Sequence, residues 1–191
     1  MSHYLRLDLV RFLKAVDHAL ARPAEVVIIG GAACAIRYGV LYATRDIDTW
    51  SELSAGLSGA VARARETTGL AIPFGPAGVA DGPHGFETRL VRVLPQLKRL
   101  RVRVPERHDL VLMKMVRGYE HDLEAAEAMH RRKALRLDTL LERYESEMGS
   151  VVGHPTRLRG NLLGLEPRST PPLPVSVPSS TGLWMRPHPR T

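Results

Sequence analysis

A short apolar run, Glu25-Val26-Val27-Ile28-Ile29, leads into Gly30-Gly31 and is followed shortly by Asp46-Ile47-Asp48; no other feature limits this chain more. Residues two apart on a strand point to the same face, so the spacing predicts that Asp46 and Asp48 converge while Ile47 turns into the core. Two carboxylates side by side repel each other unless a cation lies between them or one stays protonated. A hard divalent ion with oxygen ligands and a bound phosphate resolves that conflict. The glycines let a backbone approach a phosphate closely, and a helix opening at Ala32 adds unpaired amides and a positive dipole end. The plainer alternative is an Asp pair that caps a loop at a strand end.

The pattern around this segment reads as α+β. Leu5, Leu9, Phe12, Leu13, Val16 and Leu20 recur at helical spacing and predict a helix over about residues 6–21, ended by Pro23. Glu25–Ile29 reads as a buried strand, Ala32–Tyr38 as a helix of small residues closed by Gly39, and Thr44–Trp50 as a second strand. Leu53–Gly69 reads as helix, residues 73–86 as loop dense in Gly and Pro, and Glu87–Leu94 and Leu100–Val104 as strands. A long helical stretch follows from Asp109, interrupted at Gly118 and resumed from Asp122 to Arg132, with a last helix over Leu135–Met148. From about residue 166 the chain is rich in Pro and Ser without period, which predicts a disordered or polyproline-like tail carrying Trp184. The expected organisation is a domain over 1–148, an extension over 149–165 and the tail over 166–191.

Composition narrows the partners. With 44% hydrophobic residues in 191 the chain can bury a core, and with only 5% aromatic residues that core must be filled by Leu, Val and Ala. The single cysteine, Cys34, lies in an apolar run; this argues against a disulfide framework and reads as a buried small hydrophobe in a reducing compartment. The N-terminus carries charges throughout and the longest apolar run is too short to span a bilayer. The cytoplasm, with no membrane partner, is the expectation. A formal charge of +7 and a pI near 10.1 suit a polyanionic partner such as a nucleotide or RNA, though many Arg residues and a basic tail also raise that count. His84, His108, His121 and His130 have no mutual zinc-ligand spacing. Lys98-Arg99-Leu100-Arg101-Val102-Arg103 reads as a solvated strand edge or as a track for RNA. Arg131-Arg132-Lys133 reads as a solvated helix end.

Gly30-Gly31-Ala32-Ala33, Gly39 and Ala43-Thr44-Arg45-Asp46-Ile47-Asp48, followed by Asp109-Leu110-Val111-Leu112-Met113-Lys114-Met115-Val116-Arg117-Gly118 and His121-Asp122-Leu123-Glu124-Ala125, resemble the DNA polymerase β-like nucleotidyltransferases. The resemblance covers about residues 25–145, and it is closer to small bacterial abortive-infection (AbiEii-type) toxin nucleotidyltransferases. It implies a small mixed sheet flanked by helices, with further helices at the C-terminal side. It further implies a Mg²⁺- or Mn²⁺-dependent transfer of a nucleoside monophosphate from NTP to RNA, such as a tRNA 3′ end, or to a protein. A cognate antitoxin is the implied partner, and a catalytically degenerate module that binds nucleotide or RNA is the alternative.

In that reading Asp46 and Asp48 hold the metal, Gly30 and Gly31 the phosphates, and Thr44 and Arg45 shape the strand entry or touch the nucleotide; a solvated Arg45 fits equally. The implied third carboxylate is assigned to Glu87, with Asp81 as the fallback; an ion pair between Glu87 and Arg89 explains Glu87 almost as well. Lys114, flanked by Met113 and Met115, needs an anionic partner; the resemblance offers a triphosphate, and Asp109 or Asp122 is the structural alternative. Arg117, one turn on, adds a second phosphate contact. Asp122 caps the next helix, orients the lysine or acts as a base.

Overall fold

The computed structural model describes residues 2–40, 43–78, 80–149, 159–161 and 164. The first helix, α1 (Arg6–Ala19), buries Leu9, Phe12, Leu13 and Val16 against α3 (Ala55–Thr68), which turns Leu57, Ala60, Val61 and Ala64 inward. It stops short of the expected end because Leu20 is extended and Arg22, preceding Pro23, is disfavoured in helix.

Three strands form the main sheet in the order β1 (Ala24–Val27), β5 (Leu100–Val104), β4 (Val91–Val93). β1 runs parallel to β5 with Val26 opposite Val102, and β4 is antiparallel to β5 with Val93 opposite the same Val102. A parallel pair, β2 (Ile47–Thr49) and β3 (Phe74–Pro76), joins this sheet through an antiparallel bridge from Thr49 to Ile28. Helix α2 (Gly30–Tyr38) packs on α1, β2, α4 (Arg107–Arg117) and α5 (Glu120–Arg132). Its Ala32, Ala33, Cys34, Ala35 and Ile36 are all buried, and their small size lets four elements close on one short helix. The architecture is α+β, with helices flanking a small mixed sheet and α6 (Leu137–Glu147) at the C-terminal side. No helix among the described residues is long and apolar enough to cross a membrane.

Four expectations need correction. Strand β2 begins at Ile47 rather than Thr44: Thr44 Oγ1 bonds to the Asp46 carbonyl at 3.2 Å, while its backbone pairs with Tyr4. Such local bonds compete with a sheet ladder. Residues 74–76, expected as loop, form β3. The strand expected from Glu87 begins only at Val91. Phe86–Arg89 is a 3₁₀ turn, because Gly85 sits at φ +72° and Thr88 bonds back to the Gly85 carbonyl through both its amide and its hydroxyl. Phe86 anchors that turn edge-on against Trp50. Finally, Leu100–Val104 is the central strand of its sheet and not an edge: Leu100, Val102 and Val104 face the core, while Arg101 and Arg103 pair with Glu25 of β1 at 3.5 and 2.5 Å.

Helix α4 ends at Gly118 (φ +60°), and α5 begins two residues on, so the expected interruption is where the helix turns. Arg89 forks onto Asp109 at 2.9 and 3.0 Å and also holds Glu147; Arg143 bonds Glu106 and Asp109. This network ties the 3₁₀ turn, α4 and α6 together and leaves Asp109 engaged by arginines rather than by Lys114. Apart from Gly149, residues 159–161 and Gly164, the extension over 149–165 lies outside the described residues. So does the whole stretch 166–191 with Trp184.

Candidate active site

The first turn of α2 and the start of β2 meet where the two glycines lie. Gly30 has φ +64°, a conformation that L side chains rarely adopt, and a Cβ there would stand 2.9 Å from Asp48 Oδ2. A Cβ on Gly31 would stand 2.8 Å from Thr44 Oγ1, the hydroxyl that also reaches Asp46 Oδ1 at 3.4 Å. Each glycine thus leaves room for one polar side chain: Gly30 for the Asp48 carboxylate and Gly31 for the Thr44 hydroxyl beside Asp46. The amides at the start of α2 and two carboxylates therefore share one small volume. Burial, and then the nearby Asp46 charge, push the Asp48 pKa above its ordinary value; the Lys114 and Arg117 charges partly offset this. That conflict is the one a divalent cation relieves.

The opposite wall comes from α4 and α5. Lys114 is almost fully buried, and its Nζ donates to Asp122 Oδ1 at 2.9 Å; Arg117 Nη2 donates to the same oxygen at 2.9 Å. Of the two alternatives for Lys114, Asp122 is therefore its carboxylate partner. Burial alone would raise the Asp122 pKa, but the Lys114 charge and the hydrogen bonds from both bases outweigh it and hold the carboxyl below its ordinary value. Asp122 does not cap α5 with its side chain; its amide instead donates to the Tyr119 carbonyl. The other oxygen, Oδ2, is buried without a hydrogen-bond partner among the described residues.

Asp48, Lys114 and Arg117 stand between two lobes of one cleft. The larger, about 600 Å³, is lined by Gly31, Thr44, Arg45, Asp46 and, across from them, His121 and Glu124. The smaller, about 40 Å³, is lined by Gly30, Ile29, Met113, Val116 and Asp81. Arg45 donates from Nε to His3 Nε2 at 3.2 Å on the cleft wall. Of the residues singled out in the sequence, Gly30, Gly31, Thr44, Arg45, Asp46, Asp48, Lys114 and Arg117 all line this cleft, and Asp122 lies directly behind the two bases. Glu87 does not join them: it is exposed on the 3₁₀ turn, and its neighbour Arg89 is engaged by Asp109 and Glu147. Asp81 shares the small lobe with Asp48, as Asp46 and Glu124 share the large one. Among the described residues no three His, Cys, Asp or Glu side chains gather closely enough to hold a metal between them. Asp46 and Asp48 still fit a Mg²⁺ or Mn²⁺ ion, since Mg²⁺ keeps several waters and is commonly bound through one or two carboxylates plus substrate phosphates.

Sequence reasoning gave no role to His3 or Glu124, both of which line the cleft. The last was within reach, being one residue from Leu123 and two from Asp122 on the same helix; His3 comes to the cleft through the Tyr4–Thr44 bridge, which has no sequence signature. Cys34 is buried, its Sγ 3.7 Å from Met129 Sδ, and burial pushes its thiol pKa up.

Comparison with curated proteins and with solved structures finds no match. A family described as "Nucleotidyltransferase of unknown function (DUF6036)" matches residues 7–162, a span holding both walls of the cleft, and the chain belongs to that nucleotidyltransferase family.

Proposed function

We propose that the chain is a Mg²⁺- or Mn²⁺-dependent nucleotidyltransferase that moves a nucleoside monophosphate from NTP to an acceptor hydroxyl in the cytoplasm. The observation that carries this reading is that Asp48, seated against Gly30, lines the same cleft as Lys114 and Arg117. Anion-binding amides, paired carboxylates and two bases are the parts that a triphosphate requires. Asp46 and Asp48 would hold the metal, which would supply positive charge where negative charge develops. The first turn of α2 and Gly31 receive the phosphates, and Lys114 and Arg117 balance their charge. Asp122 positions both bases, accepting a hydrogen bond from each on one oxygen. The acceptor oxygen bonds to the α-phosphorus, the bond from that phosphorus to the bridging oxygen breaks, and pyrophosphate departs. The acceptor's proton passes to a carboxylate; Asp81 is better placed for this than Glu87.

The acceptor is an RNA 3′ end, as the AbiEii-type resemblance would have it for tRNA, or a protein side chain. Incubating the protein with labelled NTPs, Mg²⁺ and total RNA or lysate tests this. Labelling by the wild type and none by an Asp46→Ala, Asp48→Ala variant supports the reading; equal labelling by both removes it. Growth arrest on expression, relieved by the product of a neighbouring gene, would support a toxin with a cognate antitoxin. The absence of a three-residue acidic cluster among the described residues favours a second reading, a module that binds nucleotide or RNA without turnover. Tight nucleotide binding without pyrophosphate release selects it.

A further inference from the structure

Among the described residues three large apolar side chains are exposed, Leu5, Leu7 and Tyr119, and only Tyr119 is aromatic. Tyr119 is 59% exposed, although a ring of its size gains from burial. It is stacked on His121, with ring centroids 5.7 Å apart and planes 27° from parallel. His121 is itself exposed, and it lines the large lobe together with Gly31, Asp46, Asp48, Lys114 and Arg117. Its Nε2 lies 3.7 Å from Asp122 Oδ1, the oxygen that holds Lys114 Nζ.

The backbone fixes this pair relative to the bases. Gly118 ends α4, Tyr119 caps α5, and the Tyr119 carbonyl accepts the amides of Asp122 and Leu123. The residue that organises Lys114 and Arg117 is thereby hydrogen-bonded to the residue that presents the ring. A flat, open, preoriented aromatic surface beside a phosphate-binding wall matches a nucleotide, whose base has a π face and whose phosphates are anionic. The small lobe, at about 40 Å³, is too tight for a base, whereas the large lobe at about 600 Å³ reaches from Gly31 to His121.

We infer that Tyr119 and His121 form the platform on which the base of the incoming nucleoside triphosphate stacks, with its phosphates on Lys114, Arg117 and the α2 N-terminus. The inference rests on the nucleotidyltransferase reading for the direction of the phosphates. Stacking reads the face of a base and not its edge, so purine nucleotides bind more tightly than pyrimidine nucleotides, with weak discrimination within each class.

The test is calorimetric titration of the full chain with ATP and Mg²⁺, and in parallel with inorganic tripolyphosphate and Mg²⁺. Tyr119→Ala is expected to weaken ATP binding about tenfold while leaving tripolyphosphate unchanged, and Tyr119→Phe to restore ATP binding. Tyr119 is a surface residue whose bonds to α5 are made by its backbone, so the alanine variant keeps its fold. Equal ATP affinity in wild type and Tyr119→Ala overturns the inference and leaves the nucleotidyltransferase reading standing. So does a loss confined to a single-stranded RNA oligonucleotide, which would assign the ring to the acceptor. Tyr119-dependent ATP binding without pyrophosphate release upholds the platform and removes the enzyme. No ATP binding by the wild type overturns both.

Discussion

Lys114 and Asp122 form a buried pair whose disruption should be asymmetric. Their 2.9 Å separation corresponds to an attraction of about 6 kcal/mol at an effective dielectric of about 20, set against a desolvation cost of several kcal/mol per ion. Removing either partner leaves the other behind, but the two leftovers differ. In Lys114→Met, Asp122 keeps Arg117, which bonds the same oxygen at 2.9 Å and is 38% exposed. The expected cost is about 1–3 kcal/mol, below the full range for a stranded buried charge. In Asp122→Leu, Lys114 is left buried without its hydrogen-bonded carboxylate, and the cost rises to about 3–5 kcal/mol. Combining the two changes removes both charges, so the double variant should be more stable than the sum of the singles by at least about 1 kcal/mol. Urea unfolding followed by fluorescence of Trp50, which packs on Phe86 inside the domain, measures all three. Strict additivity, or an Asp122→Leu variant within about 1 kcal/mol of the wild type, would refute the shared-carboxylate account.

Three other outcomes follow from separate parts of the molecule. Gly30→Ala places a Cβ at φ +64° and 2.9 Å from Asp48 Oδ2, which should cost about 1–2 kcal/mol from the backbone alone; Mg²⁺-dependent ATP binding should fall more than stability does, as read by titration beside urea unfolding. Asp17 is buried and accepts the amides of Lys98, Arg99 and Leu100 at 3.2, 2.6 and 2.7 Å, so Asp17→Ala strands these donors. It should cost about 3 kcal/mol while leaving the proposed transfer activity unchanged per folded molecule, as assayed by pyrophosphate release at low temperature. For Glu106, burial raises the pKa, but hydrogen bonds from His108 and Arg143 outweigh it and lower the carboxyl from 4.5 to about 2. Because the folded value is the lower one, this stabilisation is complete above pH 4.5 and is lost as pH falls toward 2. Its ceiling is about 3 kcal/mol, reduced by the 25% exposure of the side chain, and Glu106→Gln should flatten thermal stability across that window.

The elements that sequence patterns identified are those whose local chemistry and tertiary setting agree. α1 has a full apolar stripe, Gly39 and Gly118 stop their helices with a left-handed residue, and Leu100–Val104 alternates cleanly between core and solvent. The site residues readable in advance are those in compact motifs: Gly30-Gly31, Thr44 to Asp48, and Lys114 with Arg117. The choice between Glu87 and Asp81 depends on where a Gly- and Pro-rich loop returns, which local sequence does not specify. Glu87 looked like the head of a strand since Thr, Leu and Val follow it, yet the left-handed Gly85 and the buried Phe86 bend the chain into a turn. Asp81, in a segment with no period, comes back to line the small lobe together with Asp48. The basic run at 98–103 could not be placed at an edge or the centre of a sheet from alternation alone, since both patterns read the same.

The pairing of β1 with β5 also has a consequence for how the molecule comes into being. Residues 24–27 find their parallel partners only at residues 100–103, and closing so long a loop is slow relative to local helix formation. During synthesis the glycines and both carboxylates of the cleft emerge well before β5, and before Lys114 and Asp122 on the helices that follow it. The early chain therefore carries an acidic pair without the bases of the opposite wall, beside a β1 that still lacks β5. The wall built by α4 and α5 is assembled late, so a ribosome-bound or truncated chain that ends before α4 holds the paired carboxylates of the cleft without Lys114 and Arg117, and one that ends before α5 holds those bases without Asp122.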